Sequence, residues 1–408
     1  MALNIKENLH QNKDAWVDMF HILRRELYNI FTDRGVLIVF FIACLVYPLV
    51  CGYIYNRELL YDIPVAVVDE SNSSLSREYL RKIDATSEVK IQSYCSSMEQ
   101  AKKMQSVSKV HGIIYIPEDF SYNLNRGEQS VVGVYADVTS FFWYRNIMLA
   151  CSYVSQSMGA EIQVKNLIAS GTDYEKAVSS VQPFKPTQHL LYNPGGYPSF
   201  ILPIVFILVL QQTLLIGIGM LTGKATETNK LNTLIPNNAH YKGVFRIIFG
   251  RALALFITYL PIVVYVLIII PKFFNLPQLV SSPYKILWFI TPFLFSTILL
   301  GMTIGVFFKN RENSIPFYLF MSIPMLLLSG LSWPREAMPV FWECFSHVLP
   351  STDAANGFAR MTTMGSSMSE ISKEHLWLWI LSGVYFITTF FAYRWRINKG
   401  NREISQEE

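Results

Sequence analysis

The sequence has few charged residues. Only 16% of its 408 residues are Asp, Glu, Lys or Arg, whereas a soluble globular domain carries about a quarter. Hydrophobic residues make up 51%, concentrated in long blocks without charge. The net charge of +4 is too small to indicate a nucleic-acid partner. The composition therefore predicts a membrane protein, with the lipid bilayer as its main contact.

The motifs of catalysis and of cofactor binding are missing as well. The seven histidines and five cysteines match no metal or disulfide spacing, and no GxSxG motif occurs. The glycines before Lys224 do not form a phosphate loop, because Ala225 follows the lysine where Ser or Thr is needed. The apolar blocks hold no mid-membrane ionisable group for a proton or ion relay. We therefore expect no catalytic residue, metal ion or bound cofactor in this chain.

Six apolar blocks have about the length of a membrane-spanning helix. A bilayer-spanning helix needs ~20 residues, and the fifth block is short and carries Pro316 and Pro324. The blocks run over 35–55, 197–222, 245–271, 286–308, 315–333 and 376–393. The sequence therefore predicts a polytopic α-helical membrane protein with about six transmembrane helices.

Basic residues predict the orientation. They precede the first block, separate the second from the third, join the fourth to the fifth and follow the sixth. With six spans, these four segments fall on one side of the membrane, and Lys and Arg are enriched on the cytoplasmic side. We therefore predict a multi-pass protein of the bacterial inner membrane with both termini in the cytoplasm.

The polar segment between the first two blocks then lies outside the cytoplasm. It alternates short apolar strands with helical stretches, which is typical of α/β layer domains. An amphipathic pattern over 14–33 predicts a helix that lies in the membrane interface or packs on protein. The predicted organisation is a cytoplasmic segment 1–34 with this helix, a first transmembrane helix 35–56, an inserted extracytoplasmic α/β domain 57–195, five transmembrane helices within 196–396 with short re-entrant helices at 334–373, and a cytoplasmic tail 397–408.

The predicted spans contain uncharged polar residues. Gln211, Gln212 and Thr213 lie midway along the second span, and Ser322 lies in the fifth. Such side chains can hydrogen-bond between helices. They can also line a substrate path or a dimer seam, and both interpretations stay open for these four residues.

Several short motifs, in order along the chain, resemble those of the permease subunits of type-2 ABC exporters. The motifs are VAVVD at 65–69 before a Ser-rich turn, GIIYIPEDF at 112–120, YNP at 192–194, SG at 329–330, MP at 338–339 and LPST at 349–352. The resemblance covers essentially the whole chain. It is greatest to the multidrug-type branch with a large periplasmic domain.

The resemblance implies a permease subunit of an ATP-driven exporter, energised by a separate cytoplasmic ABC ATPase subunit that binds the ATP. A second permease copy or a paralogue would complete the substrate pathway, and the α/β domain would meet substrate or a periplasmic membrane-fusion adaptor. The helix 14–33 and the loop 224–242 would contact the ATPase. The candidate coupling residues are Arg24, Glu26, Glu227, Leu231 and Leu234, of which the last three share one helical face.

Other functions are compatible with the same layout. One alternative is a membrane-anchored receptor or assembly platform whose α/β domain binds a periplasmic ligand. Within transport, the cargo could be a lipid, polymer or peptide instead of a drug. A membrane acyltransferase or glycosyltransferase would need an acidic or histidine site near the interface, and none stands out in the sequence.

Overall fold

The chain divides into two compact units. The first comprises Met1–Glu58 and Leu190–Glu408, and the second comprises Leu59–His189. The computed structural model describes residues 2–55, 60–184, 197–227, 243–274, 282–331 and 333–407.

Helices dominate the described residues. In chain order they are α1 (Ala2–Thr32), α2 (Arg34–Ile54), α3 (Ser74–Asp84), α4 (Met98–Ser106), α5 (Phe120–Asn125), α6 (Phe141–Ala169), α7 (Tyr174–Val181), α8 (Tyr197–Glu227), α9 (Val244–Phe273), α10 (Pro283–Gly305), α11 (Arg311–Leu328), α12 (Val340–Ser346), α13 (Pro350–Thr363) and α14 (Ser372–Glu407). The strands are β1 (Ile63–Asp69), β2 (Val89–Tyr94), β3 (Gly112–Ile116) and β4 (Gly133–Ala136).

Among the described residues of the first unit, five helices are long and apolar enough to cross a membrane, so the chain is a polytopic helical membrane protein. These helices are α2, α8, α9, α10 and α14. The predicted count of about six is therefore one higher than the structure supports by length and composition. The predicted block that has no such helix, at 315–333, falls mostly in α11. The first turn of α11 carries Arg311, Glu312 and Asn313, and these polar residues lower its hydropathy.

Close helix packing holds the first unit together. Helix α8 packs against α10, α11 and α13, while α10 packs against α14 and α1 packs against α9. Glycines let α8 approach its neighbours, because a side chain on Gly217 would overlap the ring of Phe40. Gly223 lies against the backbone of Asn310 and Arg311 at the start of α11. Small residues at such contacts are the usual means by which membrane helices pack closely.

The second unit contains a four-stranded mixed sheet with helices on both faces. The strand order is β2-β1-β3-β4, with β1 parallel to β2 and β3, and with β4 antiparallel to β3. Successive residues of β1 point to opposite faces. Val65 and Val67 pack with α3 and α6, whereas Ala66 and Val68 pack with α4.

We expect Gly223→Val to destabilise the protein by about 2 kcal/mol. A Cβ atom at this position would lie 2.7 Å from the carbonyl oxygen of Asn310 and 2.9 Å from the Cα of Arg311. Because both are backbone atoms, α11 would have to move. Gly383→Val is the matched control, since a Cβ there meets nothing within 4 Å. Thermal unfolding in detergent measures the effect, and equal melting of the two variants would contradict it.

Candidate functional site

Salt bridges made by acidic residues connect α1 to the rest of the first unit. Asp18, Glu26 and Asp33, the last directly after α1, are separated by about two helical turns each. They therefore lie along one side of the helix axis. Each accepts a hydrogen bond from an arginine far along the chain. The pairs are Asp18 with Arg246 at 2.9 Å, Glu26 with Arg251 at 2.9 Å and Asp33 with Arg311 at 2.7 Å.

Asp33 joins the ends of three helices. One carboxylate oxygen accepts from the backbone N–H groups of Gly35 and Val36, which caps the start of α2. The same oxygen accepts from the Arg311 guanidinium at the start of α11, and the other accepts from the Lys224 ammonium at the end of α8. Asp33 is only 3% exposed. Its carboxylate is therefore the shared partner of α2, α8 and α11.

The surroundings of Asp33 keep its carboxyl ionised. Burial alone would raise its pKa, but the hydrogen bonds from Lys224 and from Val36, with the charges of Arg311 and Lys224, lower it below the ordinary value of 3.8. A carboxylate with a lowered pKa adds stability that is fully present above its unfolded-state pKa and is lost only as the pH falls through the folded value. The Asp33 contacts are therefore intact at neutral pH.

Glu26, Arg251 and Tyr393 form a buried polar group. Glu26 is 3% exposed and Arg251 is 1% exposed. The Arg251 Nε donates to the Glu26 carboxylate, and its Nη1 donates to the Tyr393 hydroxyl. The group links α1, α9 and α14. Removal of either charged partner would leave the other buried without compensation, which is strongly destabilising.

The predicted coupling residues fall in different surroundings. Glu26 belongs to the buried group with Arg251 and is not available to a partner subunit. Arg24 is exposed on α1, on the side where aromatic side chains are also exposed. Those aromatic side chains are Trp16, Phe20, Tyr28 and Phe31.

The remaining coupling candidates lie at and beyond the end of α8. Glu227 is exposed, and its carboxylate accepts from the backbone N–H of Arg311 at 3.4 Å. Leu231 and Leu234 lie outside the described residues. Of the proposed loop surface 224–242, the structure therefore describes only the part that continues α8.

Gln211 and Gln212 both face α11. The Gln211 amide donates to the Met325 sulfur at 3.4 Å, and the Gln212 amide donates to the backbone carbonyl of Tyr318. Both side-chain oxygens are buried and have no hydrogen-bond partner among the described residues. Buried acceptors are rarely left unpaired in proteins. The boundary between α8 and α11 therefore offers two unused acceptors.

The other two polar candidates in the spans lie elsewhere. Thr213 accepts a hydrogen bond from the Tyr259 hydroxyl at 2.9 Å and contacts the Cys44 sulfur at 3.0 Å. It therefore connects α8 with α9 and α2 and does not join the two glutamines. Ser322 is partly exposed on α11, where its hydroxyl donates to the Leu319 carbonyl.

The second unit carries two clefts of ligand size. One, of about 920 Å³, lies at the carboxyl ends of β1 and β2 and includes Asp69, Glu70 and Tyr94. The other, of about 700 Å³, is bordered by α6 and the segment before β4. Within the described ranges, no group of His, Cys, Asp and Glu is arranged to hold a metal ion.

The amino-acid sequence of the chain is similar to a known protein family and to a known relative. Residues 34–391 match the family described as ABC-2 family transporter protein. The chain is also 20% identical over 346 residues to the linearmycin resistance permease protein LnrN of Bacillus subtilis (strain 168). That alignment covers 79% of this chain and 86% of the relative.

We expect Glu26→Met and Arg251→Met each to destabilise the protein by about 3–5 kcal/mol, because each leaves one buried charge without its partner. The double variant should lose much less than the sum, since it buries no charge. Thermal unfolding of the four proteins forms a double-mutant cycle. Arg394→Met, at an exposed arginine of α14, is the control and should change stability by about 0.5 kcal/mol or less. Additive losses in the double variant would show that Glu26 and Arg251 act independently.

Proposed function

The chain belongs to the ABC-2 family of transporter proteins, and from that premise we propose that it is the permease subunit of an ATP-driven exporter. A separate cytoplasmic ABC ATPase subunit would bind and hydrolyse the ATP. The family is a membrane component of transport and is not itself catalytic. Its match supports the resemblance to type-2 ABC permeases that the sequence motifs indicate.

The proposal rests mainly on the ion pairs that connect α1 to the rest of the first unit. A permease without its own energy source must receive work from another subunit through its cytoplasmic surface. The Asp33 contacts and the Glu26–Arg251 pair connect α1 to α2, α8, α9, α11 and α14. A displacement of α1 would therefore act on most of the membrane-spanning helices at once.

The ATPase would contact α1 and the loop after α8. Arg24 and Glu227 are exposed at these two places. Leu231 and Leu234 extend the face of Glu227 by helical spacing in the sequence. Glu26 takes another role in this proposal, because it transmits force inside the chain and does not bind the ATPase.

The substrate pathway would run along α8 and α11 and be completed by a second permease copy or a paralogue. Gln211 and Gln212 supply unused acceptors at this boundary. Ser322 lies at the edge of an outward apolar face of α11 that a partner subunit could cover. That face exposes Leu319, Phe320, Ile323 and Leu327.

The second unit would lie outside the cytoplasm and meet substrate or a membrane-fusion adaptor. A relative of this chain is named for linearmycin resistance, so we propose that the cargo is an antibiotic-like small molecule. The clefts of the second unit are large enough for such a ligand. They equally suit a receptor or assembly platform, and only an exporter predicts ATP hydrolysis that rises when substrate is added.

The proposed location is the bacterial inner membrane, with both termini in the cytoplasm. This orientation requires α11 to cross the membrane as a sixth span, although its hydropathy is low. The face of α11 that packs on α8 includes Ser314, Tyr318 and Met325. Protein contact on that side lets a less apolar helix cross, because the polar atoms of its first turn are not all turned to lipid.

The number of crossings decides which positions an impermeant maleimide labels in spheroplasts. In a Cys344→Ser background, we expect Asn125→Cys and Lys373→Cys to be labelled from outside. Asn398→Cys should react only after the membrane is permeabilised. If α11 does not cross, Lys373→Cys is protected and Asn398→Cys is labelled, which would contradict the proposed orientation.

Leu231→Asp tests the loop as an ATPase contact. Burial of an unpaired charge in a desolvated contact costs several kcal/mol, so we expect about a tenfold or greater loss of co-purified ATPase. Substrate-stimulated ATP hydrolysis should fall with it. Val107→Asp makes the same kind of change at an exposed side chain of the second unit and should affect neither. Equal expression of both variants confirms folding, and unchanged ATPase binding by Leu231→Asp would refute this contact.

A further inference from the structure

The two clefts of the second unit differ in the chemistry of their walls. We call the one bordered by α6 and the segment before β4 the α6 cleft, and the one at the carboxyl ends of β1 and β2 the β1–β2 cleft. The α6 cleft has a volume of about 700 Å³, and apolar atoms make up the larger part of its accessible lining. A cleft of this size with mainly apolar walls is typical of small-molecule sites.

Charge is almost absent from the α6 cleft. Among the described residues that line it, only Glu128 is charged, and its carboxylate lies at the surface, 3.2 Å from the Arg126 guanidinium. The β1–β2 cleft is different, because six of the eleven residues that line it are charged, namely Asp69, Glu70, Arg77, Arg81, Asp84 and Glu118. A charged ligand in the α6 cleft would lose water without gaining an opposite charge, which is unfavourable. An uncharged ligand therefore suits the α6 cleft.

The inner part of the α6 cleft has apolar side chains and polar groups that are already paired. The Ser155 hydroxyl donates to the Cys151 carbonyl at 2.7 Å, so it accepts from the Tyr79 hydroxyl at 2.9 Å. Burial raises the pKa of Tyr79 to about 12, so this hydroxyl is uncharged at neutral pH. The buried or half-buried apolar residues of the lining are Phe120, Leu124, Val132, Met158 and Ile162. This part of the cleft therefore suits the apolar body of a ligand.

Amide side chains lie at the exposed border of the α6 cleft. They belong to Gln129 in the segment before β4 and to Gln163 and Asn166 on α6, and all three residues are exposed. A side-chain amide offers donors and an acceptor without charge. Hydroxyl or amide groups on a ligand can therefore be bound here while its apolar body is held inside.

One face of α6 gives the cleft its length. The lining residues from Ser155 to Asn166 lie three or four positions apart along this face and extend over ~16 Å of the helix axis. Gly159 lies between them, and a Cβ atom there would meet nothing within 4 Å. The cleft is therefore open beside the middle of this face and can hold an elongated molecule.

We propose that the α6 cleft binds an uncharged, elongated amphiphile. Its apolar body packs against Leu124, Met158 and Ile162, and its hydroxyl or amide groups bond to the amides at the exposed border. This molecule is the cargo of the exporter, an assignment that rests on the function proposed above. Of the two clefts, the α6 cleft is thus the one that selects the cargo by its lack of charge.

Photolabelling of the full-length protein in lipid nanodiscs tests the site. The probe is a straight-chain alcohol that carries a diazirine, and peptide mass spectrometry locates its adducts. We expect adducts within 124–132 and 155–166. Gly159→Trp fills the cleft and should lower these adducts by about tenfold or more. Gly159→Ala is the matched control and should change them by less than about twofold, because a methyl group there meets no neighbour. Adducts in α8, α9 and α10, formed by probe in the bilayer, should be equal in both variants.

An alkylammonium probe with the same chain and diazirine tests the preference for an uncharged ligand. It should give about tenfold fewer adducts in the cleft than the alcohol, since its charge has no partner there. Ile162→Glu supplies that partner and should reverse the preference. Equal labelling of the unmodified cleft by the two probes would overturn the proposal, as would equal labelling of Gly159→Trp and Gly159→Ala.

The labelling requires no ATPase subunit, so its outcome is independent of the export function. Absence of adducts from the cleft would overturn the site and leave the export function standing. Conversely, the cleft could be labelled while the alcohol fails to stimulate ATP hydrolysis by the complex with the ATPase. That result would overturn the cargo assignment and leave the binding site standing.

Discussion

A charge buried away from water needs an opposite charge beside it, and this constraint governs the first unit. Glu26 and Arg251 are both almost completely buried, and Asp33 is nearly so. Each would be costly alone, and each is tolerated because its partner comes from a different helix. The helix α1 can therefore occupy its place only when the arginines of α9 and α11 occupy theirs. The ion pairs therefore specify one arrangement of the helices. Contacts among Leu, Ile and Phe side chains specify an arrangement less strictly, because these side chains can repack against one another.

The same contacts determine how the unit can move. Asp33 connects α2, α8 and α11 at their ends, while Gly223 brings the backbones of α8 and α11 into direct contact nearby. Those helix ends cannot separate without exposing charge or breaking close packing. Motion of α1 is therefore expected to tilt the connected helices together. Farther along the contact between α8 and α11, the side-chain oxygens of Gln211 and Gln212 are buried without a hydrogen-bond partner among the described residues.

The sequence predicts the membrane character well, because a span is a local property of about 20 consecutive residues. Five of the six predicted blocks correspond to such helices, and the family resemblance is confirmed by the family match. The block at 315–333 falls below the hydropathy of the other five because the helix that contains it, α11, begins with a polar first turn. The Glu26–Arg251 pair could not be predicted, since its residues are 225 positions apart. The two-turn spacing of Asp18, Glu26 and Asp33 can be seen in the sequence, but it does not identify the arginines with which they pair. The roles of Leu231 and Leu234 stay predictions.

The long sequence separations also set an order of events during biosynthesis. Asp18, Glu26 and Asp33 leave the ribosome early, whereas Arg246, Arg251 and Arg311 emerge more than 200 residues later. The Tyr393 hydroxyl, which completes the buried group, belongs to α14 and is synthesised later still. Until α14 has been inserted, the buried group of Glu26, Arg251 and Tyr393 is incomplete. The acidic side chains of α1 must stay in water until then. Helix α1 is thus synthesised well before the helices that hold it in place, and a ribosome-bound chain cut short before α14 would carry an undocked α1.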